Sequence, residues 1–240
     1  MKQGSLNIVI LVGAFALGYA IFEFMLPDFV KAGGPLVIAL LALSIMVLTY
    51  VVERLLSLKK AGGRGPMPKF LKTLVTNLNG NDVAGAIATC DQQRGSLANI
   101  VKSGLERYQE LQPKKDLSKK ERMEEVKRVI EEATMLEMPI LEKNLISLST
   151  IASISTMVGL LGTVLGMIRS FHALAKAGAT DAAALSLGIS EALINTAGGI
   201  AIAIIAIVSY NFFTTKIDGM TYMIDEASKD ILANLQAKHE

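Results

Sequence analysis

Tryptophan is absent from this sequence, cysteine occurs once, and histidine occurs twice. The single cysteine, Cys90, excludes an internal disulfide and a cysteine-based zinc site, and we interpret it as a small packing residue. No Ser-His-Asp set or metal-ligating cluster is recognisable, and the glycine-rich stretch 62–66 lacks the Lys-Ser/Thr pair of a phosphate loop. The sequence therefore predicts a protein that is not an enzyme and that uses no metal, cofactor or nucleic acid.

Charge is also scarce, at 19% of residues, whereas 51% of residues are hydrophobic. Charged residues are almost absent from four apolar runs: Leu6–Leu26, Pro35–Leu56, Leu145–Phe171 and Leu185–Phe213. A run of about 20 apolar residues is long enough to cross a bilayer as a helix. The pattern predicts an all-α integral membrane protein with four transmembrane helices. For the first run, a cleaved signal peptide and an interfacial helix are the alternative interpretations.

Basic residues set the expected orientation in the membrane. Five of them lie between Lys59 and Lys72, directly after the second run, whereas the connection 172–184 holds only Lys176 and Asp181 as charged residues. Because cytoplasmic loops are enriched in Lys and Arg, we expect residue 59 onwards in the cytoplasm and this connection in the periplasm. The predicted domains are an extra N-terminal span with its turn (1–34), a second span (35–56), a cytoplasmic helical domain (57–144), a helix pair with its periplasmic loop (145–213), and a cytoplasmic C-terminal helix (214–240).

The predicted cytoplasmic domain contains several short helices and one long one. Apolar residues recur at helical spacing from Phe70 to Leu78, and the stretches 83–90 and 97–111 have the same character. Ser118 and Glu121 have the spacing of a capping box and predict the start of the long helix. Pro139 is a candidate kink, but no glycine or loop residue follows it, so we expect this helix to continue into the third span. After the fourth span, 221–237 is expected to form an amphipathic C-terminal helix, and the long helices of the spans are expected to extend into the cytoplasmic domain.

Polar residues inside the third span recur in a helical pattern. Ser149, Ser153, Thr156, Thr163 and Ser170 are spaced by four, three, seven and seven residues, which predicts a single polar face. For one such hydroxyl alone, a bond to a carbonyl one turn back is the alternative explanation. Three glycines, Gly159, Gly162 and Gly166, lie on a neighbouring face, where small residues let helices approach closely. The third span is therefore expected to pack through one face and to present polar groups on another.

The fourth span carries a carboxylate within an apolar run. Glu191 lies one turn before Asn195, and Thr196 follows it. A charged group inside a membrane helix costs at least about 2.5 kcal/mol on insertion scales, so it faces protein or water. Two interpretations remain open: Glu191 pairs with a neighbouring helix or subunit, or it belongs to an ion or proton route.

Three segments of these spans resemble a known family. They are 148–153 (Leu-Ser-Thr-Ile-Ala-Ser), 159–171 with Gly159-Leu-Leu-Gly-Thr163, and 188–199 with Glu191-Ala-Leu-Ile-Asn-Thr196, followed by Tyr210-Asn211. This combination is similar to the MotA/TolQ/ExbB proton channel family, and closest to its ExbB and TolQ branch. The similarity covers roughly residues 35–215. Ser155-Thr156 and Ile205 stand where family members often have Ala-Pro and proline, so the helix kinks that these prolines cause are expected to be absent here.

The resemblance implies an assembly and a mechanism. It implies a homopentamer around a central pore lined by the last two spans, with two single-span helices of an ExbD- or TolR-like partner inside. It further implies that an aspartate of this partner carries protons, and that Thr163, Thr196 and Glu191 line its pathway. Ser149, Ser153, Thr156 and Asn195 are weaker candidates for the pore lining. Because this chain has no aspartate in any span, a partner is required.

The implied activity is the conversion of proton motive force into mechanical work at the bacterial inner membrane. The expected recipient is a TonB- or TolA-like protein, and outer-membrane transport driven through TonB is the first hypothesis. A TolQ-like motor for envelope integrity and a membrane scaffold without ion flow are the alternatives. In the scaffold hypothesis, the polar residues of the third and fourth spans would only hold helices together in the lipid bilayer.

Overall fold

A computed structural model of the chain describes residues 2–113, 118–177 and 182–237. All regular structure in these ranges is helical. The helices are α1 (Lys2–Phe24), α2 (Asp28–Lys31), α3 (Leu36–Ala61), α4 (Met67–Asn79), α5 (Val83–Gln93), α6 (Ser96–Leu111), α7 (Lys119–Leu141), α8 (Leu145–Ala177) and α9 (Ala182–Ala237). The all-α class predicted from the sequence is confirmed.

Three helical segments in the described ranges are long and apolar enough to cross a membrane. They lie in Leu36–Ala61, Lys119–Ala175 and Leu185–Gln236. The apolar part of α1, Ile8–Phe24, is shorter. The prediction of a membrane protein is thus supported by three segments, and the additional N-terminal span stays a prediction.

The chain divides into two compact units, of which the first comprises Met1–Glu53 and Asn144–Phe212. Its tightest contacts involve glycines: a Cβ added to Gly18 of α1 would lie 3.2 Å from the Ile38 oxygen of α3. Asn144, which directly precedes α8, has a positive φ of 61°. Its side chain donates a hydrogen bond of 3.0 Å to Glu53 Oε2 of α3. This unit contains the third and fourth apolar runs and therefore the candidate site.

The second unit comprises Arg54–Lys143 and Phe213–Glu240. Its core consists of apolar side chains at helical spacing, including Leu74 of α4, Ile100 and Leu105 of α6, and Val126 of α7. Cys90 of α5 belongs to this core, and burial raises the pKa of its thiol to about 12. A buried thiol with a raised pKa is unreactive, which agrees with the packing role expected from the sequence.

The start of α7 follows the prediction in detail. The Ser118 hydroxyl accepts a hydrogen bond from the Glu121 backbone nitrogen at 3.2 Å, and Glu121 Oε2 accepts one from the Ser118 nitrogen at 2.8 Å. These two reciprocal bonds form a capping box, which satisfies two donors that would otherwise be unpaired at the helix start.

The prediction of one continuous helix through the third span is wrong. The long helix α7 ends at Leu141, and α8 begins at Leu145 after a three-residue turn. Arg54, only 1% exposed, donates hydrogen bonds to the backbone oxygens of Leu141 at 3.1 Å and of Ile140 at 3.5 Å. These oxygens are the unpaired acceptors of a helix end, so a buried cation stabilises the end of α7 there.

Two other boundaries also differ from the prediction. The connection 172–184 is largely helical, because α8 extends to Ala177 and α9 begins at Ala182. The expected charge at Asp181 and the loop residues 178–181 lie outside the described residues, as do 114–117. The helix expected at 221–237 is present as the end of α9, which runs without a break for 56 residues through 214–220. Gly219 does not interrupt it, since a lone glycine costs a helix only about 1 kcal/mol.

Candidate functional site

Helices α8 and α9 pack against each other through glycines. A Cβ added to Gly162 would lie 2.3 Å from Asn195 Cβ, and one added to Gly166 would lie 2.6 Å from the Gly188 oxygen. At Gly159, the added atom would lie 3.0 Å from the Asn195 oxygen and 3.2 Å from Gly199 Cα. Any larger side chain at these positions would force the helices apart, so the glycines permit backbone-to-backbone contact.

The carboxylate of Glu191 is buried next to this contact, with 8% of the residue exposed. Arg169 of α8 donates a hydrogen bond through Nη1 to Glu191 Oε1 and forms an ion pair with it. The same carboxylate oxygen is close to Gly34, where an added Cβ would lie 2.5 Å from Oε1 and 3.6 Å from Arg169 Nη1. Gly34 has a φ of +73°, so both its conformation and the space available there favour glycine. The buried charge is therefore compensated within the chain.

Asn195 connects α9 to the turn that precedes α3. Its side chain is fully buried, and Nδ2 donates hydrogen bonds to the oxygens of Gly33 at 2.7 Å and Glu191 at 3.0 Å. Its Oδ1 atom is buried without a hydrogen-bond partner among the described residues. An amide whose donors are both used in this way holds α9 and the turn in one arrangement.

The two threonines at the expected pathway positions differ in their contacts. The Thr196 hydroxyl lies 3.3 Å from the Gly159 oxygen across the helix contact and 3.2 Å from the Ala192 oxygen. The Thr163 hydroxyl donates to the Leu160 oxygen at 2.6 Å within α8. Both residues are half-buried. Each hydroxyl has a single donor, which these carbonyls use, so the oxygen lone pairs remain as acceptors.

Part of the predicted polar face of α8 opens on a cleft of about 570 Å³. Ser149, Ser153 and Thr156 are exposed on it, and Tyr210 and Asn211 of α9 line its other side. These hydroxyls lie on the cytoplasmic half of the third span in the predicted topology. The cleft gives the chain a polar surface within an otherwise apolar helix pair.

The prediction that Ser170 shares this face is wrong. Ser170 is fully buried, and its hydroxyl donates to the Leu185 oxygen of α9 at 3.1 Å. An α-helix turns about 20° per heptad relative to a perfect seven-residue repeat. Over the three heptads from Ser149 to Ser170, this drift moves the serine from the open cleft to the contact with α9.

Arg169 is the residue that sequence reasoning missed. It is a single cation in an apolar run, as Glu191 is a single anion in the next, and lone charges of opposite sign in neighbouring spans tend to pair. That signal was available in the sequence. The role of Gly33 and Gly34, by contrast, depends on a turn far away in the chain and had no local signal. Among the described residues, no group of three or more His, Cys, Asp and Glu side chains can hold a metal ion.

Comparison with known proteins agrees with these features. The family model described as "MotA/TolQ/ExbB proton channel family" matches residues 92–226, which is more than half of the chain. A biopolymer transport protein ExbB of Pseudomonas putida is 44% identical over 85 residues, covering 35% of this chain and 26% of that protein. A Tol-Pal system protein TolQ of Pseudomonas aeruginosa is 37% identical over 117 residues, covering 49% and 51%. The chain thus spans about a quarter to a half of the length of these two relatives.

A more extended but weaker similarity is found in an archaeon. A putative ExbB homolog of Methanothermobacter thermautotrophicus is 27% identical over 188 residues, covering 78% of this chain and 62% of that protein.

Proposed function

Because the chain belongs to the MotA/TolQ/ExbB proton channel family, we propose that it is the channel subunit of a proton-driven motor in the bacterial inner membrane. The motor would consist of a homopentamer of this chain and an ExbD- or TolR-like partner with one membrane helix. The partner contributes an aspartate, and proton flow through the complex is converted into mechanical work. A TonB-like protein receives this work and drives transport across the outer membrane.

The observation that carries the proposal is the exposed polar surface of the α8–α9 pair. Ser149, Ser153 and Thr156 are exposed there, on a helix whose other exposed residues are mostly apolar. Polar groups in contact with acyl chains are costly, so this surface is suited to contact with protein or water. A central pore shared by several copies of the chain, with partner helices inside, supplies both.

The threonines fit a carboxyl group that changes its protonation state. Since the hydroxyl donors of Thr163 and Thr196 are used by backbone oxygens, their lone pairs can accept the proton of a neutral carboxylic acid. We therefore assign both threonines to the point where the protonated aspartate of the partner is held.

Glu191 has a different role in this proposal. Its carboxylate accepts a charge-assisted hydrogen bond from Arg169 and is therefore already engaged within the chain. We assign Glu191 an electrostatic and positioning role beside the pathway and leave proton carriage to the partner's aspartate. The weaker pore candidate Asn195 is assigned to helix positioning for the same kind of reason, since its amide donors are committed to Gly33 and Glu191.

Proton flux in proteoliposomes tests the proposal. The full chain is reconstituted with the single-span protein encoded beside it, and acidification is followed with an enclosed pH-sensitive dye. Flux is expected only when both proteins are present, and Thr163→Val with Thr196→Val is expected to reduce it at least about tenfold, or ~1.4 kcal/mol in the barrier.

The matched control is Thr150→Val. Thr150 is another threonine of α8 whose hydroxyl bonds a backbone oxygen of its own helix, that of Ile146 at 2.7 Å, but it is not among the residues assigned to the pathway. This variant is expected to keep full flux. A complex of verified composition that conducts no protons would overturn the proposal and favour the non-conducting scaffold.

A TolQ-like motor for envelope integrity is the second candidate, since a TolQ is also similar to this chain, with 37% identity over 117 residues. Complementation separates the two. Rescue of siderophore uptake in a bacterium lacking ExbB supports the first, whereas rescue of detergent resistance in one lacking TolQ supports the second.

A further inference from the structure

A second polar cavity, of about 600 Å³, lies in the unit formed by Arg54–Lys143 and Phe213–Glu240. It is separate from the candidate channel residues and is not used by the proposed function. The last turns of α3, the turn after it, and the start of α6 surround this cavity. Its polar lining residues are Ser57, Lys60, Arg64, Arg94, Ser96, Asn99 and Glu137.

Two glycine-containing turns fix the shape of the cavity wall. The Arg64 nitrogen donates a hydrogen bond of 2.7 Å to the Gln93 oxygen, and Gln93 Nε2 donates one of 3.2 Å to the Gly65 oxygen. Gly63 has a φ of +82°, and a Cβ added there would lie 2.2 Å from the Arg94 oxygen. These contacts bring the backbones of residues 63–65 and 93–95 together, and with them the side chains of Arg64 and Arg94.

The N-terminal turn of α6 opens on this cavity and lacks a cap. Its N-cap residue is Gly95, which has no side chain to accept the first N–H groups. The first backbone bond of the helix runs from the Asn99 nitrogen to the Gly95 oxygen at 2.9 Å. Residues 96–98 are nonetheless buried. A buried helix start without a cap needs acceptors from elsewhere, and it has a partial positive charge.

Ser96 provides an independent indication of a ligand. The residue is only 3% exposed, yet it lines the cavity. Its hydroxyl has no hydrogen-bond partner in the part of the chain that the structure describes. At the cavity wall, this hydroxyl is available as a donor and an acceptor to a group bound in the cavity.

The charges around the cavity favour an anionic ligand. Lys60, Arg64 and Arg94 contribute three cations, and within the described ranges none of them has an ion-pair partner. The lining contains a single carboxylate, Glu137, whose Oε1 accepts a hydrogen bond of 3.0 Å from the Asn99 amide. Three cations against one carboxylate leave an excess of positive charge beside an uncapped helix start.

We propose that this cavity binds a phosphate group. Phosphate oxygens accept hydrogen bonds from N–H groups of a helix start and bind arginine in a bidentate manner, which matches the donors present here. The Ser96 hydroxyl would donate to the same group. The phosphate has two possible sources, an anionic lipid headgroup and a free phosphate compound. The lipid source fits the position of Ser57 and Lys60 directly after the apolar run of α3.

Binding measurements on the full chain, purified in a neutral detergent, test the proposal. In one arm, inorganic phosphate is titrated and the thermal unfolding midpoint is recorded at constant ionic strength. In the other, native mass spectrometry compares retention of phosphatidylglycerol with retention of phosphatidylcholine. Binding in the first arm identifies a free phosphate compound as the source, and preference for phosphatidylglycerol in the second identifies a lipid. Both results support the proposal.

Variants locate the binding in the cavity. Arg64→Gln with Arg94→Gln is expected to weaken affinity at least about tenfold, and Ser96→Ala about fivefold through loss of one hydrogen bond. The control Lys69→Gln with Lys72→Gln removes the same charge from exposed positions of α4 and is expected to keep the affinity. Since Ser96→Ala removes a single oxygen, it remains informative if the double arginine variant does not fold. Absence of binding in both arms, or equal affinity in all variants, would overturn the proposal.

Discussion

Asn195 donates a hydrogen bond of 2.7 Å to the backbone oxygen of Gly33, which lies 162 residues earlier in the chain. This bond joins the middle of α9 to the turn before α3, in a region where both partners are buried. It also adds to a bond from the same amide to the Glu191 oxygen. One side chain therefore positions the turn, α9 and the backbone of the buried carboxylate together.

Asn195→Ala is expected to lower the free energy of unfolding by about 2 kcal/mol, because it leaves the buried Gly33 oxygen without its donor. Urea unfolding in detergent, followed by circular dichroism, measures this change. The control is Asn234→Ala, which removes a hydrogen bond of 2.8 Å to the Asp230 oxygen at an exposed site on the same helix. That variant should change stability by less than about 0.5 kcal/mol. Equal losses in both variants would contradict the positioning role.

Gly162→Ala is expected to destabilise the protein by about 1–3 kcal/mol, since the new Cβ would lie 2.3 Å from Asn195 Cβ and force α8 away from α9. Gly219→Ala is the matched control on α9, because nothing lies within 4 Å of a Cβ added there. It is expected to stabilise the helix by about 0.5–1 kcal/mol. Thermal unfolding of the purified variants compares the two, and opposite signs are expected. A gain in stability at Gly162 would show that the helices are not in close contact.

Removing Arg169 is expected to destabilise the protein more than removing Glu191, its partner in the ion pair. The Glu191 side chain is 10% exposed and the Arg169 side chain is 49% exposed. Arg169→Met leaves a buried carboxylate unpaired and is expected to cost about 2 kcal/mol. Glu191→Gln leaves an arginine that water can reach and is expected to cost about 1 kcal/mol or less.

The double variant Arg169→Met/Glu191→Gln separates pairing from other contacts. Because it leaves no uncompensated charge, its stability is expected to be closer to that of Glu191→Gln than to that of Arg169→Met. Urea unfolding of all three variants gives the coupling energy. Losses that simply add would mean that the two side chains act independently.

Glu125 makes the second unit sensitive to acid. Hydrogen bonds from Arg128 and Arg107 lower the pKa of Glu125 to about 2. In the unfolded chain a glutamate titrates near 4.3, so the folded state holds the ionised form more strongly. The stabilisation from this cluster is fully present above pH ~4.3 and is lost as the pH falls from there to about 2.

The difference in unfolding midpoint between the wild type and Glu125→Gln should therefore be largest near neutral pH. It is expected to shrink as the pH falls below ~4.3. Scanning calorimetry over this range measures it. Glu131→Gln is the control, since the one ion pair of Glu131 among the described residues is with Lys127, at 3.7 Å between exposed side chains. Its difference from the wild type should stay small at every pH, and a similar pH profile for both variants would contradict the assignment.

The local features of the fold were predictable from the sequence. The capping box at Ser118, the helical spacing in the second unit and the long apolar runs depend on residues close together in the chain, so their signals are local. The end of α7 is not of this kind. It depends on Arg54, which is 87 residues away from Leu141, and on Asn144 with its positive φ. The residue pattern within a helix cannot predict that a side chain distant in the sequence will cap its end.

The candidate site was predictable as a set of residues but not as a set of contacts. The glycine spacing and the hydroxyl pattern of α8 were visible in the sequence. The ion-pair partner of Glu191 and the hydrogen bond from Asn195 to Gly33 could be identified only from the structure. Ser170 shows a third limit. A seven-residue repeat is only approximately helical, so its error accumulates with length and changes the face on which the last member lies.

The glycine contact between α8 and α9 has a mechanical consequence. Where Gly166 meets the Gly188 oxygen, the two backbones are in direct contact. No layer of side chains, which could change rotamers, lies between the helices there. Sliding of one helix along the other would bring a Cβ into a carbonyl within one residue of travel. The pair is therefore expected to behave as one stiff element, so that turning or tilting of these helices occurs at the outer surfaces of the pair.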